Sequence, residues 1–256
     1  MITETIDRMA SEIAGILDQR LHSFWLYGSV VLNDFQLGWS DIDFLAFADD
    51  PITESQAEQL LMLRQCLSAQ FPDNPCYRCF EGNIVCLGEY SDRNFTRLVY
   101  WGTTGQRVTD RYHEDPFALY ELAKYGQSVF GSTDRSIFAA PDRDRMIAAI
   151  QSHYETVRTC AVQTDERLYS CGWLLDMARC VYTLRYHDVI SKTRAGQWAL
   201  DNHIFPDETA LEKTLMIRQH PLEHKDKPET GLWLKGLGPT VQRYADVLEK
   251  EIKACR

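Results

Sequence analysis

The 256-residue sequence has no apolar run near the ~20 residues needed to span a membrane, so no transmembrane helix is expected. Its opening stretch, MITETIDRMASEIAGILDQR, alternates charged and apolar positions and lacks the unbroken apolar core of a secretory signal. An amphipathic helix of a cytoplasmic protein is expected there. Basic residues are in deficit: 27 Lys and Arg against 37 Asp and Glu leave a formal net charge of −10. A protein that grips nucleic acid by its phosphates needs a basic surface, so no nucleic-acid partner is expected. The acidity suits a cationic small molecule instead. Neither an internal repeat nor a low-complexity segment is present. Cysteine is not scarce, with eight residues, but a zinc-site spacing is missing. Cys76-Tyr-Arg-Cys79 is a CxxC with no second CxxC or HxxxH at a suitable distance. Cys171 and Cys180 fall within an apolar helical pattern beside Trp173, Leu174 and Met177, where thiols act as small hydrophobes. Reduced cysteines and a monomer or weak dimer are expected.

The pattern of apolar residues divides the chain in two. Ile6, Met9, Ile13 and Ile16/Leu17 repeat at helical spacing over residues 3–20, and Phe24-Trp25-Leu26-Tyr27 reads as a short strand stopped by Gly28. Residues 41–47 (DIDFLAF) form a second strand, 53–70 a helix capped by Thr53, and about 77–87 a third strand. Asp115-Pro116 caps and opens another helix that runs to Gly126. Ala139-Ala140-Pro141-Asp142 looks like a hinge, and beyond it lie four or five helical patterns without a convincing strand. The fold class that follows is an N-terminal α/β domain with a small mixed sheet, residues 1–140, and an all-α helical bundle, residues 141–256.

One constellation carries chemistry. Gly28-Ser29 follows the first strand and is expected to open a short helix over residues 29–33, which would aim backbone N–H groups and a hydroxyl at a phosphate. Eleven residues past Ser29 comes Ser40, followed by Asp41-Ile42-Asp43. Residues two apart on a strand share a face, so the Asp41 and Asp43 carboxylates project together while Ile42 and Phe44 enter the core. Two carboxylates on a rigid edge beside a phosphate-binding turn are read as a Mg²⁺ site, with substrate phosphates as further ligands.

This order resembles the nucleotidyltransferase superfamily that includes DNA polymerase β. WLYGSVVLNDFQLGWSDIDFLAFADDPIT is similar to the first motif of the aminoglycoside 3''/9 adenylyltransferases, which inactivate spectinomycin and streptomycin. Weaker similarity continues through YRCFEGNIV, KYGQSVFGSTDRSIFAAPDRDRM and WLLDMARCVYTLRYHDVISKTRAGQWAL. The resemblance implies transfer of AMP from ATP to a hydroxyl of a cationic small molecule, with two Mg²⁺ ions. Gly28, Ser29 and Ser40 would hold the triphosphate, Asp41 and Asp43 the metals, and Glu81 would be the general base. Arg179 and Lys192, with Arg194 as a neighbouring alternative, would reach the nucleotide. Asp165 and Glu166 are candidate partners for a substrate amine. At two places the sequence departs from streptomycin-modifying members: Thr104 stands where they carry a tryptophan, and Tyr169 where they carry an acid. The implied acceptor is therefore of the spectinomycin type. Alternatives are a protein or tRNA acceptor, as in toxin–antitoxin relatives, and a non-catalytic nucleotide-binding module.

Overall fold

In the computed structural model, which describes residues 2–102 and 105–255, the N-terminal periodicity becomes helix α1 (Ile2–Ile16). Ile6, Met9 and Ile13 form its buried stripe. The helix stops before residue 20 because Asp18 and Gln19 adopt positive φ, 53° and 62°, which turn the chain into strand β1 (Leu21–Leu26). Strand β2 (Ile42–Ala48) follows, then α2 (Glu54–Gln70). Thr53 caps α2 in a reciprocal box with Gln56: the Gln56 N–H donates to Thr53 Oγ1 at 3.3 Å and the Thr53 N–H to Gln56 Oε1 at 3.0 Å. A 3₁₀ turn (Pro75–Cys79) leads into β3 (Phe80–Cys86) and the short α3 (Leu87–Asp92). Next come β4 (Leu98–Gly102), β5 (Gly105–Thr109), α4 (Pro116–Tyr125) and β6 (Gln127–Gly131).

The strands form one mixed six-stranded sheet in the order β5-β4-β3-β2-β1-β6. Only β2 and β3 run parallel, and α2 is the crossover between them. Alternation along β2 sends Leu45 and Phe47 into a core with Trp25, Val85, Leu119 and Phe138. Phe44 enters the other face, stacked on Phe24 at 5.0 Å and edge-on to Trp101 at 5.3 Å.

Two sequence expectations change here. Residues 29–33 form turns, not a helix, with Asn33 at φ 54°. Five residues containing Val30 and Val31 cannot offset the cost of nucleating a helix. Cys76 and Cys79 lie in a 3₁₀ turn over Pro75–Cys79, so the third strand begins at Phe80 and not near residue 77. Burial raises the pKa of both thiols, that of Cys79 to about 11.

After Pro141 the described chain is helical: α5 (Arg143–Cys160), α6 (Tyr169–Tyr186), α7 (Lys192–Asp201), α8 (Glu208–Gln219), α9 (Pro221–His224), α10 (Pro228–Lys235) and α11 (Gly238–Ala254). Helix α6 is apolar nearly all round, with Cys171, Leu174, Met177, Val181 and Leu184 buried, and is the central helix against α5, α7, α8 and α11. The chain gathers into two compact units, Met1–Val31 with Ser40–Ala140, and Leu32–Trp39 with Pro141–Arg256. Among the described residues no helix is long and apolar enough to cross a membrane.

Candidate active site

The site in the sheet unit is built from the ends of β1, β2 and β3. The Tyr27 N–H donates to the Asp43 carbonyl at 3.1 Å, so the chain leaving β1 is still tied to β2 when it turns. Gly28 makes that turn at φ +67°. A Cβ built on it would stand 2.0 Å from Asp43 Oδ2, so the glycine is needed both for its backbone angle and for room beside the carboxylate. Ser29 Oγ donates to the Asp41 carbonyl at 3.1 Å, locking the turn to the start of β2, and Ser40 beside it is buried. Asp41 and Asp43 are half-buried while Ile42 and Phe44 are fully buried.

Parallel pairing of β2 with β3 sets Asp43 directly beside Glu81 and Phe44 beside Gly82. Gly82 permits this approach, because a Cβ there would lie 1.9 Å from the Phe44 carbonyl oxygen. Asp43 and Glu81 line one cavity of about 420 Å³ with Tyr27, Asn83, Tyr100 and Arg107. Sequence reasoning missed Tyr100, whose strand was not read. Its hydroxyl donates to Glu81 Oε1 at 3.0 Å, and the Arg107 guanidinium covers its ring at 4.3 Å from the centroid. Burial, then the charge of Glu81, raises the Tyr100 pKa, so the phenol stays protonated and remains a donor. Tyr27 is pushed well up by burial and then by Asp43.

Arg64 was also missed; its only signal is a cation among the leucines of α2. It donates to the carbonyls of Phe80 at 2.7 Å and Gly102 at 3.2 Å, tying the start of β3, next to Glu81, to the end of β4. Burial lowers its pKa, against the opposing pull of Glu81 and Asp41.

Among the described residues, no group of three or more His, Cys, Asp or Glu side chains is arranged to hold a metal ion. The two half-buried aspartates, Asp41 and Asp43, offer oxygen donors only. That set fits Mg²⁺, which keeps waters and shares substrate phosphates instead of filling an all-protein cage.

In the helical unit, a third unread residue organises two that were read. Asp176 on α6 lies 2.9 Å from Lys192 Nζ and 3.7 Å from Arg179 Nη2. Burial pushes the Asp176 carboxyl up, but Lys192, Arg179 and His153 outweigh it and hold the pKa below the ordinary value. The loop before α6 carries Asp165 and Glu166. Asp165 is already engaged: Arg167 Nε donates to its Oδ2 at 2.7 Å and Ser170 Oγ lies 3.1 Å from its Oδ1. The Arg167 hydrogen bond, more than any other contact, lowers its pKa. Glu166 is exposed, 3.6 Å from Lys235. Tyr169 is exposed with its ring edge-on to Trp173 at 4.8 Å, whereas Thr104 lies outside the described residues.

Residues 136–219 match the family model of the aminoglycoside adenylyltransferase C-terminal domain. That stretch contains Asp165, Glu166, Asp176, Arg179 and Lys192. No curated protein matches the chain at a significant level. The structure is similar to that of spectinomycin adenyltransferase AAD(9) from Enterococcus faecialis, determined with ATP and spectinomycin. The TM-score is 0.62 at 17% identity, covering 96% of this chain and 98% of that one. The two proteins share the fold: a mixed sheet with helices followed by a helical region.

Proposed function

We propose that the chain transfers AMP from ATP to a hydroxyl of a small cationic molecule, an aminocyclitol of the spectinomycin type. The observation that carries this reading is the register that sets Asp43 beside Glu81 on one cavity wall. A carboxylate that would hold a metal and one that would accept a proton are then adjacent. Residues 1–140 would supply the transferase chemistry and residues 141–256 the helical closing domain.

Gly28, Ser29 and Ser40 hold the triphosphate. Asp41 and Asp43 would hold two Mg²⁺ ions, which would supply charge neutralisation at the phosphates. Glu81 takes the proton of the acceptor hydroxyl as that oxygen bonds to the α-phosphorus and pyrophosphate leaves with the electrons of the broken P–O bond. Tyr100 fixes one Glu81 oxygen by its hydrogen bond, leaving the other for the incoming proton. Arg179 and Lys192 neutralise charge on the phosphates. The family match over residues 136–219 and the shared fold support both the nucleotide and the acceptor class. Tyr169, in place of an acid, weighs against streptomycin.

An acceptor panel tests the reading. With ATP and Mg²⁺, spectinomycin should support pyrophosphate release and streptomycin should not. Release with streptomycin alone would reverse the assignment of the acceptor.

A further inference from the structure

Asp34 and Arg218 are a charged pair with no part in the site described so far. Arg218 is 2% exposed and Asp34 5%, both within the helical unit. Desolvating two charges is expensive, and well-packed apolar residues often serve stability as well or better. A buried pair is therefore weak evidence of a purely structural role. What it touches is more informative.

Arg218 Nη2 donates to Asp34 Oδ2 at 2.6 Å and to the Asp34 carbonyl at 3.2 Å. Its Nε donates to Thr193 Oγ1 at 3.0 Å, and its guanidinium lies 5.4 Å from the Trp39 ring centroid. Asp34 Oδ2 also accepts the Thr193 backbone N–H at 3.2 Å. Thr193 is the second residue of α7. On the other side of Lys192, Ser191 caps the helix by accepting the Arg194 N–H at 3.4 Å. The Lys192 backbone is thus held from both sides, and its ammonium lies 2.9 Å from Asp176. Lysine is a point charge on a flexible stem. Fixing its backbone narrows the positions its ammonium can reach and reduces the ordering cost of binding a phosphate.

We propose that Asp34 and Arg218 are positioning residues for Lys192, clamping the first turn of α7 so that its ammonium is pre-set for the nucleotide. The proposal rests on the reading of Lys192 as a phosphate-binding residue. Its sequence signature is an acid in the loop between Ser29 and Ser40 together with an arginine near the end of α8.

The test compares Asp34→Leu/Arg218→Met, Arg218→Lys and Lys192→Met with the unaltered chain, reading ATP Kd by calorimetry, acceptor KM and thermal stability. The apolar pair should fold with near-normal stability yet bind ATP about tenfold more weakly, the factor one charged hydrogen bond is worth, with acceptor KM unchanged. A purely structural pair would have both stability and ATP affinity restored by the apolar replacement, and that outcome would overturn the proposal. If the double variant does not fold, Arg218→Lys carries the test. It retains the charge opposite Asp34 but loses the fork that ties Thr193, so normal ATP affinity in it would overturn the clamp. Weakened ATP binding in Lys192→Met beside normal binding in the clamp variants rejects the clamp alone. Normal binding in Lys192→Met rejects the role of Lys192 itself, and the proposal with it.

Discussion

Asp43→Ala is expected to lower turnover at least ~10³-fold while the protein stays folded, the loss typical when a principal charge-stabilising group is removed. Its backbone carbonyl, which accepts from Tyr27, is untouched by the substitution, and Ile42 and Phe44 keep the strand anchored in the core. The carboxylate also stands beside Glu81, so its removal relieves a like-charge contact built into the site. A catalytic residue held at such a cost to the fold can be replaced with little loss of stability. Asp41→Ala should behave alike, because Ser29 Oγ bonds the Asp41 carbonyl and not its side chain. Steady-state turnover alongside circular dichroism checks both variants. Near-normal turnover in either would contradict the assignment of the pair to the metals.

Glu81→Gln should reduce transfer by about 10²-fold or more, within the range attributed to a positioned general base. The amide keeps the shape and its carbonyl still accepts the Tyr100 hydroxyl, so the β3–β4 pairing and the cavity wall persist. What it cannot do is accept a proton. ATP affinity measured by calorimetry should therefore match the unaltered protein while product formation falls. Full transfer activity in the Gln variant would remove Glu81 as the base.

These two results probe different degrees of legibility. The Asp41/Asp43 pair was expected from a strand's two-residue period; Asp43 lies on β2 and Asp41 immediately before its first residue, both half-buried. Glu81 could not be placed that way. Its position beside Asp43 depends on a parallel register set by the α2 crossover and on Gly82 allowing close approach, neither of which leaves a local pattern. Tyr100 and Arg64 were unreadable for a related reason, since each acts across strands distant in sequence. Asp176 was hidden in the apolar α6, where a lone acid looks like an interruption until Lys192 and Arg179 are seen on either side of it.

The fold shows the same division. Helices with strong apolar stripes or complete caps, such as α1, α2 and α4, were legible to within a few residues. Strands β5 and β6 were not: they are short edge strands with exposed or half-buried residues, so no hydrophobic alternation marks them. Strand β4 was missed because its continuous LVYWG run has no period of its own. The short α9 and α10, each opened by a proline, merged in the sequence with their neighbours.

The fate of labelled ATP tests the central proposal most directly. ATP labelled at the α-phosphate or at the γ-phosphate is incubated with Mg²⁺, spectinomycin and the protein, and the products are separated. AMP transfer puts the α label on the aminocyclitol and the γ label in pyrophosphate. A γ label on the acceptor, or an α label that never leaves the nucleotide pool, would contradict nucleotidyl transfer.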